Sequence, residues 1–149
     1  MHKNNFRRRQ KRVESRLDET VRIASIVQKG ITTGRSSYVE MRALERIVRH
    51  NLKVRVELAR SSMAARDGEL AELLSKVMSI HGGYAEMLTP NGVLKSSELD
   101  QLLSVDSEIS TCVGSIESLG GSRSRIRDVA AALKELLEER KKLVGSLRA

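Results

Sequence analysis

The chain has 149 residues, one domain by length, with a net charge of +8 and a pI near 10.1. Aromatic residues are only 2 %, charged residues 31 %, with one proline (Pro90) and one cysteine (Cys112). An intrachain disulfide framework is excluded, no run of about 18 apolar residues can cross a membrane as a helix, and the composition predicts long helices packed along aliphatic seams.

The opening stretch "MHKNNFRRRQKR" forms a basic arm over residues 1–12. It has no apolar core of the kind a secretory signal needs, and it lacks the amphipathic apolar face of a mitochondrial presequence. An intracellular, cytoplasmic protein is expected. "RRRQKR" also has nuclear-localisation composition, which would matter in a eukaryotic cell.

A first helix is expected over about 5–29, from Val13, Leu17, Val21, Ala24 and Val27, which recur every three or four positions. Gly30 ends it, and "GITTGRSS" has turn chemistry. A second helix is expected over about 37–81, with Ser36 or Ser37 as N-cap. Its seam is Leu44, Ile47, Asn51, Val54 and Leu58, where an Asn in a core-like position can fix register. The apolar pattern resumes at Leu70, Leu73, Val77 and Ile80 in a different phase, so near Gly68 the helix either carries a stutter or breaks. If continuous, it is a rod of roughly 65 Å.

"HGGYAEMLTPNG" separates the two halves of the chain. A third helix follows over about 97–119, opened by capping-box spacing at Ser97 and Asp100, with a seam of Leu102, Val105, Ile109, Cys112, Ile116 and Leu119. Gly120 and Gly121 stop it. The fourth runs over about 123–147 with Ser122 or Ser124 as cap. Its seam is Ile126, Val129, Leu133, Leu136, Arg140, Leu143 and Leu147, which Arg140 interrupts. The expected architecture is therefore all-α: an elongated helical bundle or antiparallel coiled-coil hairpins of about four helices, one domain over 13–149 behind the arm.

Charge is distributed in blocks: +11 over residues 1–66, −7 over 67–120 and +4 over 121–149. Folding back at "HGGY…TPNG" would set the acidic third helix beside a basic first or second one. Such exposed pairs add only about 0–1 kcal/mol each, so the seams supply stability and the charges choose the pairing.

No enzymatic constellation emerges. His2, His50 and His81 are scattered, and Cys112 sits on an apolar seam. "GITTGRS" is too short for a phosphate loop, carries Arg35 where lysine is needed and follows no strand. "HGGY" lacks the nucleophile elbow that an oxyanion loop accompanies. No cofactor or metal is expected.

The function expected is that of a non-enzymatic helical interaction protein, a subunit, adaptor or stalk of a larger assembly or a homo-oligomer. Its protein contacts would come from Leu44, Ile47, Asn51, Val54, Leu58, Leu133, Leu136, Leu143 and Leu147. The alternative is non-specific nucleic-acid binding or packaging by Arg7, Arg8, Arg9, Lys11, Arg12, Arg16 and Arg22. An anionic membrane surface ranks lower, because the arm has no Trp or Leu anchor.

Overall fold

The computed structural model describes residues 38–80, 82–87 and 95–148. Four α-helices lie among them: α1 (Tyr38–Arg60), α2 (Gly68–Met78), α3 (Ser96–Ser115) and α4 (Arg123–Arg148). Single 3-10 turns stand at Met63–Arg66, Ala85–Met87 and Ile116–Ser118. The described residues contain no strand, so the fold is all-α as expected. The expected helix over 5–29, the basic arm and the "TPNG" turn lie outside the described residues.

The single helix expected over 37–81 is two helices. α1 ends at Arg60, where Ser61 turns its hydroxyl onto the carbonyl of Leu58 at 2.7 Å. Ser62 then accepts from the backbone N–H of Ala64 at 3.2 Å, and Asp67 Oδ1 accepts from those of Glu69 and Leu70 at 3.0 and 3.2 Å. Each cap satisfies helix-end donors that would otherwise be orphaned. The phase slip near Gly68 is thus a chain reversal, and α1, at 23 residues, is about 35 Å long.

The third helix begins two residues earlier than a capping box with Ser97 as N-cap would start it. Lys95 precedes it without a side-chain cap, and Ser97, inside the first turn, donates to the carboxylate of Glu98 at 2.9 Å. That hydrogen bond lowers the pKa of Glu98 below the ordinary range. At the start of α4, Ser122 Oγ accepts a long 3.5 Å contact from Arg125 N–H.

α1 packs on α2 and α3, and α4 packs on α3 and α2. Directions follow from the levels at which residues meet. Cys112 meets Val129 and Asp106 meets Arg140, so α3 and α4 are antiparallel. Arg55 of α1 lies against Gly114, and Ser62, just beyond α1, donates to the Ile116 carbonyl, so α1 and α3 run parallel. Arg46, Arg49 and Lys53 border Val77 and Ile80, so α1 and α2 are antiparallel. The fold is two antiparallel hairpins, α1–α2 and α3–α4, laid side by side with like helices parallel. The acidic α3 does lie beside the basic α1.

Each helix touches two neighbours, so each buries an arc wider than a two-position seam. On α1 the buried line is Met41, Leu44, Val48, Leu52, Val56 and Ala59, flanked by Asn51 and Leu58. Ile47 and Val54 sit at the edge of this arc, half-buried. On α4, Ala130, Leu133, Val144 and Leu147 are buried, with Leu136, Leu137 and Leu143 half-buried around them. Met87, Leu99, Leu102, Val105, Ile109, Val113 and Ile116 complete the core from the other hairpin and its entry.

The α1–α3 seam is polar in its middle. Asn51 is 1 % exposed, and neither its amide nitrogen nor its oxygen has a hydrogen-bond partner. Arg55 Nε and Ser110 Oγ are buried in the same condition. A Cβ on Gly114 would come within 2.6 Å of Arg55 Nη1, so the missing side chain is what lets Arg55 lie across α3. Each buried unpartnered group costs about 1–3 kcal/mol. Asn51→Leu, which keeps the volume and removes the polar atoms, is therefore expected to raise unfolding stability by about 1–2 kcal/mol in urea denaturation; a loss of stability would show that Asn51 is held by a favourable contact.

Candidate interaction surfaces

Gly82 and Gly83, with positive φ of 68° and 107°, let the chain turn sharply below α2 and present its backbone to the bundle interior. A Cβ on Gly83 would meet Leu102 at 3.0 Å and Val144 at 3.2 Å, so this turn is wedged between α3 and α4. Around it lies a buried polar node. Arg140 Nε donates to Asp106 Oδ1 at 2.7 Å, and Arg140 Nη2 donates to Asp106 Oδ2 at 3.4 Å and to the Gly82 carbonyl at 3.0 Å. The Tyr84 hydroxyl donates to Asp106 Oδ2 at 2.8 Å. The N–H of Gly82 donates to Glu45 Oε1 of α1 at 3.0 Å, and that of Gly83 to Glu86 Oε2 at 2.8 Å.

Arg140 is 7 % exposed, Asp106 3 % and Tyr84 1 %, so the ion pair is desolvated and its bonds are made in a low-dielectric setting. Burial, followed by the charge of Asp106, pushes the Tyr84 phenol well above its ordinary pKa of 10.0. The arrangement locks α1, α3, α4 and the inter-hairpin turn together. Its charged and polar groups satisfy one another.

The residues expected to meet a partner divide into two sets. Leu44, Asn51, Leu58, Leu133 and Leu147 lie in the chain's own core. Ile47, Val54, Leu136 and Leu143 are half-buried. Arg7, Arg8, Arg9, Lys11, Arg12, Arg16 and Arg22 lie outside the described residues. Cys112 is half-buried, its thiol 3.7 Å from the Val129 carbonyl, and burial raises its pKa. Among the described residues no three His, Cys, Asp or Glu converge on a metal-sized site, and no helix is long and apolar enough to cross a membrane.

Three concave surfaces are formed by the described residues. A groove of ≈ 630 Å³ runs between α2 and α4, floored by Leu73, Ile80, Leu137 and Val144 and rimmed by Lys76, Lys134 and Lys141 with Glu138. A cleft of ≈ 170 Å³ lies between α1 and the end of α2, with Arg46, Arg49, His50 and Lys53 along its α1 side. A third, between α3 and α4, is acidic: Glu108, Glu135, Glu138 and Glu139 surround Leu136. The α2–α4 groove lies along the second half of α2 and the part of α4 from Lys134 to Gly145. Sequence reasoning missed Leu73, Leu137 and Val144 as groove residues. Leu137 and Val144 each follow directly after a predicted seam leucine, and that doubling is the legible sign of a second apolar edge.

No family model, no curated protein and no solved structure matches this chain.

Two outcomes test the node. Asp106→Leu and Arg140→Met are each expected to cost about 3–5 kcal/mol in denaturant unfolding, because each strands a buried charge, while the double variant loses less than the two together. Tyr84 favours the neutral phenol in the fold, so its contribution is intact below pH 10.0 and is lost as pH rises above that value. Stability measured across that range should decline less in Tyr84→Phe than in the parent chain.

Proposed function

We propose that this chain is a non-enzymatic helical interaction module, a subunit or adaptor that docks a partner helix in the groove between α2 and α4. The groove carries the reading: its floor is aliphatic, its rim is mostly lysine, and its two walls are parallel helices. That form suits an amphipathic helix with an apolar face and acidic flanks, the helix-in-groove mode of recognition. The half-buried Leu136 and Leu143 flank the same helix on the α3 side and extend the apolar area that α4 offers.

The node supports this reading indirectly. Arg140 lines the groove, and its guanidinium is tied to Asp106 and Gly82. The groove floor is thereby held in one geometry before any partner arrives, which reduces the ordering cost of binding. The alternative, a nucleic-acid-binding role for the Arg-rich segment from Arg7 to Arg22, concerns residues outside the described ones.

The test is co-purification from the native source at physiological salt after nuclease treatment, followed by recombination of the two purified proteins. A discrete protein companion is expected to survive nuclease. Leu137→Asp should abolish the recombined complex, and the exposed rim variant Lys134→Glu/Lys141→Glu should weaken it about five- to tenfold while leaving helix content unchanged. Companions that vanish with nuclease, or a complex indifferent to both variants, would overturn the reading.

A further inference from the structure

We infer that the outer ridge of α1 is a second binding surface, one that grips the phosphodiester backbone of nucleic acid without reading its sequence. This goes beyond helix docking, uses none of the groove residues, and does not depend on that reading.

Arg46, Arg49 and Lys53 stand at spacings of three and four on the flank of α1 that borders the end of α2, beside the buried line from Met41 to Ala59, with His50 next to them. All four are exposed. The cleft they border is otherwise lined by Leu52, Val77, Met78 and Ile80, and among the described residues no carboxylate lines it. Arg46, Arg49 and Lys53 make no ion pair or hydrogen bond with any side chain among the described residues. Elsewhere the chain pairs its interior charge, as at Asp106 and Arg140, so the ridge holds cationic charge with no internal use.

The spacing suits a polyanion. From Arg46 to Lys53 the helix rises about 10 Å, a length over which a nucleic-acid strand presents several phosphates. Two of the three groups are guanidinium forks, which bind phosphate oxygens bidentately. A lipid surface fits less well: the one large apolar side chain exposed among the described residues is Met63, beyond the far end of α1. An acidic protein fits less well too, because a protein interface needs an accessible apolar anchor at its centre, and the apolar residues of the adjacent cleft are buried or half-buried.

The test uses the full-length chain and a labelled duplex of random sequence, titrated by anisotropy between about 50 and 200 mM salt. The parent chain should bind with steeply salt-dependent affinity. Arg46→Glu/Arg49→Glu/Lys53→Glu should bind at least tenfold more weakly at the low-salt end, with the log–log salt slope reduced by about 3. The control Arg123→Glu/Arg125→Glu/Arg127→Glu makes the same change in net charge at the exposed start of α4, and should retain most of the affinity and slope. The neutralising set Arg46→Gln/Arg49→Gln/Lys53→Gln should fall between parent and reversal, with unchanged helix content by circular dichroism. Equal losses in the ridge and control sets, or a ridge variant that binds as the parent does, would overturn the inference. So would ridge-dependent binding of polyglutamate or phosphatidylserine vesicles tighter than that of the duplex.

Discussion

The Asp106–Arg140 ion pair is the contact on which the arrangement of this protein turns. Both charges sit on seam faces that otherwise bury Leu, Val and Ile, and each would be intolerable there alone. Together, at 2.7 Å, they fix α3 against α4 at one level. Their remaining capacity is spent on the inter-hairpin turn: Tyr84 donates to the carboxylate, and the Gly82 carbonyl accepts from the guanidinium. Because the N–H of Gly82 also donates to Glu45, the two peptide units that meet at Gly82 are gripped from α1 and from α4. Aliphatic seams alone allow a helix to slide by a turn at modest cost, whereas a desolvated ion pair with directional partners does not.

From this follows the pairing of the two hairpins. α1 lies beside α3 and α2 beside α4, each pair parallel. α1 carries six basic and three acidic side chains, whereas α3 carries four carboxylates and no base. Setting these two helices together places opposite charge blocks side by side, and it leaves Arg46, Arg49 and Lys53 exposed on the other flank of α1. The polar middle of the same seam, with Asn51, Arg55 and Ser110 unpartnered, makes it the weaker join. Firm attachment comes instead from the glycine turn and from the core leucines of α3 and α4.

Much of this was legible in the residues. α3 and α4 lie close to where the Ser and Gly punctuation and the three-four spacing put them, because both helices have long regular arcs with strong stops. The reversal between α1 and α2 was visible as a phase slip. Its location was not, because Ser62 and Asp67 act as caps only once the chain has turned, and a sequence of small residues can also continue a helix. Ile47 and Val54 fall on the seam of a two-helix pattern, but α1 has two neighbours and its buried arc turns away from them, leaving both half-buried. Asp106 passed unnoticed in a helix of acidic residues, where another carboxylate reads as a solvated one. The clue was there: Arg140 breaks the next seam, on the other side of the Gly120–Gly121 turn, so two opposite charges face each other across an antiparallel pair.

Tyr84 gives this node an optical identity. The chain has no tryptophan and two tyrosines, Tyr38 and Tyr84. The Tyr84 phenol is sealed against a carboxylate at the junction of the hairpins. Its ultraviolet absorbance and emission therefore register whether α1–α2 and α3–α4 are docked, while the amide signal registers only whether helices exist. A state with intact hairpins that have come apart would keep the second and lose the first, so the two steps of assembly can be followed separately with no label added.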